Sequence, residues 1–105
     1  MQQINSEEEF KQALKSEVPV IIDFYATWCA PCKQLATALE TLSDKWEDSI
    51  KVYSVNIEKN MKLAVNYKIS SVPTIIVFVN EKPTKTVLGF SGIEELEKLF
   101  QQFSK

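Results

Sequence analysis

Cys29 and Cys32 are the only cysteines in the chain, and they stand three positions apart. At the start of a helix, two thiols at that spacing come within bonding reach, since a disulfide needs Cα atoms roughly 4.4–6.8 Å apart. The first of them faces the unsatisfied N–H groups of the opening turn, which together with the helix dipole favour thiolate over thiol. The pair is therefore suited to dithiol–disulfide exchange, with Cys29 as the attacking thiol and Cys32 as the resolving thiol. Three other uses stay open at this level: part of a structural zinc site, a structural disulfide, or a cluster shared between two chains. A zinc site needs about four ligands, and this chain offers two thiolates and no histidine. A ring this small gains little chain-entropy stabilisation, and cytosolic disulfides are rarely structural. A location between a strand and a helix favours the redox use.

The missing residue types narrow the field further. With no histidine, Ser-His-Asp and Cys-His catalysis are excluded. Gly89 and Gly92 are the only glycines, too few for a phosphate-cradling loop or a dinucleotide fingerprint. No bound cofactor and no metal are expected, and any reducing power must come from a partner. All 12 basic residues are lysine and the net charge is −2, which argues against nucleic-acid binding. The opening residues, Met1 to Ser6, show neither a basic stretch nor an apolar core of a signal peptide. The longest apolar runs, around 18–26 and 72–79, are strand-sized and too short to span a membrane. A cytoplasmic location is expected.

The elements that must position the sulfurs follow from hydrophobic spacing. Ser6 and Glu9 form a capping box for a short helix that turns Phe10, Ala13 and Leu14 inward. Residues 18–26 are almost continuously apolar, the pattern of a strand covered on both faces. After Cys32 the period becomes helical, with Leu35, Ala38, Leu39, Leu42 and Trp46 on one stripe and Trp46 expected in the core. Pro31 suits a first helical turn. Residues 50–57 predict a second strand and 59–67 a weaker helix facing inward through Leu63, Ala64 and Tyr67. A loop at 70–73 leads into a strand at 74–79, a turn at 80–83 and a return strand at 84–90. Ser91 and Glu94 predict a capping box for a last helix that buries Ile93, Leu96, Phe100 and Phe103. The acidic runs Glu7-Glu8-Glu9 and Glu94-Glu95-Glu97 are expected to be solvated first-turn residues. No repeat or linker interrupts the 105 residues, so one domain, 1–105, is expected. The order βαβ, helix, ββα predicts an α/β fold with a mixed central sheet and helices on both faces.

The segment Asp23-Phe24-Tyr25-Ala26-Thr27-Trp28-Cys29-Ala30-Pro31-Cys32-Lys33 resembles the signature of the thioredoxin family. Val72-Pro73-Thr74, the following turn and Gly89 match that family's later landmarks in order and spacing, so the resemblance covers essentially the whole chain. It implies the thioredoxin fold and a thiol–disulfide oxidoreductase that reduces protein disulfides as an electron carrier in cell redox homeostasis. It also implies recharging by an NADPH-dependent thioredoxin reductase; a monomer is expected. On this resemblance Cys29 and Cys32 form the redox disulfide, Asp23 is the buried proton acceptor for Cys32, and Pro73 matches a cis-proline opposite the motif. Trp28, Ala30, Pro31, Val72, Pro73, Gly89 and Phe90 would form an apolar substrate rim, with Val72 offering backbone to an extended client.

Physical chemistry bears on three of these roles. A carboxylate in the middle of an apolar strand is costly to ionise, so burial should raise the pKa of Asp23; a structural Asp bonded to a hydroxyl or water is the alternative. Trp28 is equally compatible with partly buried packing. For the thiol, a pKa of ~7 is the general figure for the resembled family rather than one derived from these residues. Lowering it to that value from ~8.5 raises the thiolate fraction at pH 7 from ~3% to ~50%. Intrinsic nucleophilicity falls by about five-fold over the same interval. The net gain is about three-fold, so most of the rate must come from holding the second thiol alongside.

The chain departs from the family pattern at Ala30, Ser54, Thr37 and Glu81. Ala30 replaces a glycine and bears on the redox potential. Ser54 replaces a lysine near the buried acid, which should leave Asp23 harder to ionise. Thr37 replaces a kinking proline, which should straighten the long helix. Glu81 replaces a turn glycine. Other readings stay open on sequence alone: an oxidase or isomerase of the same fold, a reductase of one dedicated client, or a redox-independent binding module.

Overall fold

The computed structural model describes residues 1–104. Its centre is a five-stranded sheet formed by β1 (Gln2–Ile4), β2 (Val20–Tyr25), β3 (Lys51–Asn56), β4 (Thr74–Val79) and β5 (Lys82–Leu88), ordered β1-β3-β2-β4-β5. β3 runs parallel to both β1 and β2, whereas β4 is antiparallel to β2 and β5. The mixed sheet predicted from the element order is therefore present. β2 lies in the middle, and every residue from Val20 to Phe24 is buried, which accounts for its lack of apolar–polar alternation.

Among the described residues four helices cover the sheet: α1 (Glu7–Leu14), α2 (Ala30–Lys45), α3 (Met61–Asn66) and α4 (Ile93–Phe103). Alternation along β2 divides the core in two. Ile21 packs with Leu35, Leu39 and Leu42 of α2 and with Leu96, Leu99 and Phe100 of α4. Val20, Ile22 and Phe24 face the other way, against Phe10 and Leu14 of α1 and Leu63 of α3. On that second face Phe10, Phe24, Tyr67 and Phe78 form one aromatic cluster, with Phe10–Phe78 and Tyr67–Phe78 edge-on at 5.7 and 5.5 Å. Edge-to-face contacts of this kind add about 0.5–1.5 kcal/mol each beyond area burial.

Several expectations need correction. β1 was not anticipated: its only buried residue is Ile4, and it exists because β3 accepts it as a parallel neighbour. Ser6 caps α1 by accepting the Glu9 N–H at 3.1 Å, but the Glu9 carboxylate takes the N–H of Asn5, one residue before the cap. Trp46 lies at the end of α2, half-buried, its ring tilted against Phe100 at 5.6 Å with the Lys45 ammonium 4.6 Å from its ring centroid. It closes the edge of the core. The β4–β5 turn is the pair Asn80-Glu81, both at positive φ, so Lys82 and Pro83 belong to β5. That placement suits an edge strand, where proline's missing donor costs nothing.

Ser91 does not cap α4. The helix starts one residue later than predicted, with Gly92 at the cap in a φ of 112° and no side-chain cap bond. Ile93, at the first helical position, is 43% exposed, and Leu99 joins Leu96 and Phe100 on the buried stripe. Glu97 is half-buried and paired with Lys45 at 2.6 Å, tying α4 to α2, whereas Glu94 and Glu95 are solvated as expected. α2 runs unbroken through Thr37, whose hydroxyl donates back to the Lys33 carbonyl.

Candidate active site

The site forms where the central strand hands over to the long helix. β2 ends at Tyr25, the Cys29 N–H donates to the Ala26 carbonyl at 3.4 Å, and α2 begins at Ala30. Cys29 is the N-cap of α2 in an extended conformation, and Pro31 sits in the first turn. The Cys29 Sγ accepts the N–H of Cys32 at 3.2 Å. That bond is the electrostatic arrangement expected to favour a thiolate at position 29, because an opening-turn donor points at sulfur. Cys29 and Cys32 are joined in a disulfide, with Cα atoms 5.3 Å apart. Both are nearly covered, and they pack with Ala26 against Tyr25, Ile57 and Val72.

Asp23 lies on β2, between Ser54 of β3 and Ile75 of β4 in register. It is 1% exposed, and its Oδ1 has no hydrogen-bond partner among the described residues. Burial pushes its pKa up to about 7, because the anion loses hydration with nothing to replace it. A cleft of about 380 Å³ joins Asp23, Cys32 and Ser54, with Lys33, Ala36 and Glu40 also along it. The buried acid and the second sulfur thus open onto the same space. Ser54 is itself buried beside Asp23 and brings a neutral hydroxyl, so no cation offsets the desolvation.

The rim residues divide. Trp28 is 71% exposed, which rules out the packing alternative. Ala30 and Pro31 are exposed next to it. Val72 touches the sulfur cluster, the Val72–Pro73 bond is cis, and the Pro73 carbonyl accepts the N–H of Gly89 at 2.9 Å. Gly89 adopts a φ of 78°, a left-handed backbone that glycine takes without a Cβ penalty. Phe90, also of the expected rim, is half-buried like Val72 and Gly89, and packs against the core cluster that includes Leu96, Leu99 and Phe100 of α4.

Three residues around this end of the sheet were missed. Ile57 packs against them just beyond β3, Leu88 stands 68% exposed beside Gly89, and the Glu58 carboxylate holds Thr27. Ile57 was legible as the last apolar residue of the second strand; the Thr27–Glu58 pair leaves no periodic trace. No group of three or more His, Cys, Asp or Glu side chains converges as a metal site among the described residues. No helix there is long and apolar enough to cross a membrane.

Comparison with known proteins adds an independent line. The family model described as Thioredoxin matches residues 2–104. The thioredoxin of Alicyclobacillus acidocaldarius subsp. acidocaldarius is 35% identical over 88 residues, covering 84% of each chain. That of Rickettsia typhi is 40% identical over 85 residues, covering 81% of each. Among solved structures, the thioredoxin of Malassezia sympodialis superposes with a TM-score of 0.92 at 33% identity, over 100% of this chain and 91% of that one.

Proposed function

The chain belongs to the thioredoxin family and is a thiol–disulfide oxidoreductase, and from that premise we propose that it works as a reductant of protein disulfides through Cys29, Cys32 and Asp23. The observation that carries this reading is a disulfide at the cap of α2 whose second sulfur shares a cleft with a buried, protonatable acid.

In the dithiol form, the Cys29 thiolate attacks one sulfur of a client disulfide. A mixed disulfide forms, and the other client sulfur leaves as a thiolate. Asp23 takes the proton of Cys32, and the Cys32 thiolate attacks the Cys29 sulfur, releasing the second client thiolate. Two electrons have then passed to the client, and the Cys29–Cys32 disulfide remains. An acid with a pKa of about 7 suits this task, since it both accepts and returns a proton near neutrality.

Trp28, Ala30, Pro31, Val72, Pro73 and Gly89 form the client-facing rim in this reading. Val72, next to the sulfurs, supplies backbone to an extended segment. Phe90 supports the rim from the core. A reductant must be recharged, and with neither a nucleotide loop nor a bound cofactor expected, an NADPH-dependent thioredoxin reductase is the proposed donor. The chain acts as one thioredoxin domain over 1–105, as a monomer in the cytoplasm, with no nucleic acid or membrane partner. Turnover of insulin disulfides with NADPH and a thioredoxin reductase tests the assignment. Steady NADPH consumption that requires the chain is expected, and none at any chain concentration would refute it.

A further inference from the structure

Between Tyr25 and Cys29 the backbone leaves the sheet, and a carboxylate from a distant part of the sequence reaches across to hold it. The Thr27 N–H and the Thr27 hydroxyl both donate to the same oxygen, Oε1 of Glu58, at 3.0 and 2.9 Å. Glu58 is itself held from below. The Asn56 Oδ1 accepts the N–H of Glu58 at 2.8 Å and of Lys59 at 3.3 Å, closing the turn that follows β3. The Ile57 N–H donates to the Tyr25 carbonyl at 2.9 Å, docking that turn beside the end of β2. A chain of bonds thus runs from β3 through Asn56 and Glu58 to Thr27, which is joined directly to Trp28 and then Cys29.

We infer that Glu58 is a positioning residue: it fixes the segment that presents Trp28 and Cys29 to a folded client. This deepens the reductase reading and rests on it. Two donors converging on one carboxylate oxygen hold the carboxyl in its charged form, its pKa lowered by the Thr27 bonds, and they define the direction of the loop. The loop matters most for clients that must seat against the exposed Trp28, and least for a small disulfide that needs only the sulfur.

The test compares Glu58→Ala with Glu58→Gln, which keeps a carboxamide oxygen to accept both donors. For Glu58→Ala, kcat/KM on insulin should fall by about ten-fold, the scale of a modest misplacement of a reacting group, chiefly through KM. Its rate with a small aromatic disulfide should stay within about two-fold of the unsubstituted chain, and Glu58→Gln should restore most of the insulin rate. Hydrogen exchange at the Thr27 and Cys29 amides should quicken several-fold in Glu58→Ala and much less in Glu58→Gln. Insulin turnover unchanged in Glu58→Ala would overturn the positioning role, as would equal losses on both substrates or equal losses in both variants. An unsubstituted chain that reduced no protein disulfide would instead overturn the reductase reading, and the inference with it.

Discussion

Asp23 and Phe24 are consecutive residues of β2, almost equally inaccessible to solvent, and they face opposite sides of the sheet. Phe24 enters a closed cluster of four aromatic rings. Asp23 enters a cleft with an oxygen left unpartnered. At position 24 one face of the strand is packed, and at position 23 the other is left hollow. The difference shows that burial is not one condition: it stabilises an apolar ring and destabilises an unpaired anion.

Substitutions at these positions should separate the two faces. The largest effect belongs to the sulfurs beside the hollow face. Cys29→Ser should lower turnover of a protein disulfide by about a thousand-fold or more. Cys32→Ser should instead trap a client through Cys29 as a stable mixed disulfide, visible as a reducible adduct on a gel. Attachment through position 32 alone would invert the assignment.

On the packed face, Phe24→Ala should cost about 3–5 kcal/mol in denaturant unfolding. On the hollow face the sign reverses. A raised pKa means that the folded protein holds a proton that the unfolded chain has lost, so the acid's contribution to stability declines between pH 3.8 and about 7. Asp23→Asn should therefore stabilise the oxidised protein by about 4 kcal/mol at pH 8. The gain should shrink through that window and vanish near pH 3. Unfolding curves that moved in parallel at every pH would erase the contrast between the faces.

Kinetically, Asp23→Asn should slow release of the mixed disulfide by roughly 10- to 100-fold while leaving the first attack by Cys29 almost untouched. Single-turnover mixing resolves the two steps, and equal slowing of both would remove the proton-acceptor role. The smallest effect lies outside both faces. Glu81 sits at a φ of 68°, so Glu81→Gly should raise stability by about 0.5–1 kcal/mol after the added freedom of the unfolded chain is counted. Redox activity should not change.

The residues that carry these contrasts were legible to different degrees. β2, α2 and β4 follow from apolar continuity or helical period, because burial on both faces or along one stripe dictates residue type position by position. Cys29 and Cys32 stood out by their spacing, and the carboxylate at position 23 as a break in an apolar strand. Elements fixed by their neighbours did not. β1 depends on β3, since three residues with one buried side chain carry no pattern of their own. The start of α4 slipped by one residue because Ser91 offered a cap that the backbone at Gly92 does not use. The 80–81 turn was masked by a glutamate where a left-handed residue is ordinarily glycine. The bond from Glu58 to Thr27 spans 31 positions, and only a folded chain brings those residues together.

The disulfide closes a ring between residues separated by only three positions. Cross-linking so short a stretch removes only about 2 kcal/mol of chain entropy from the unfolded ensemble. A thermodynamic cycle links the two redox forms to folding: any difference between their unfolding free energies must reappear as a difference in reduction potential between the folded and unfolded chain, with 30 mV for about 1.4 kcal/mol. A larger gap would then have to arise from how the native fold treats the two free thiols. The loop term alone thus links the two equilibria by about 40 mV, so whatever shifts the fold's stability in one oxidation state also shifts how readily the molecule is charged.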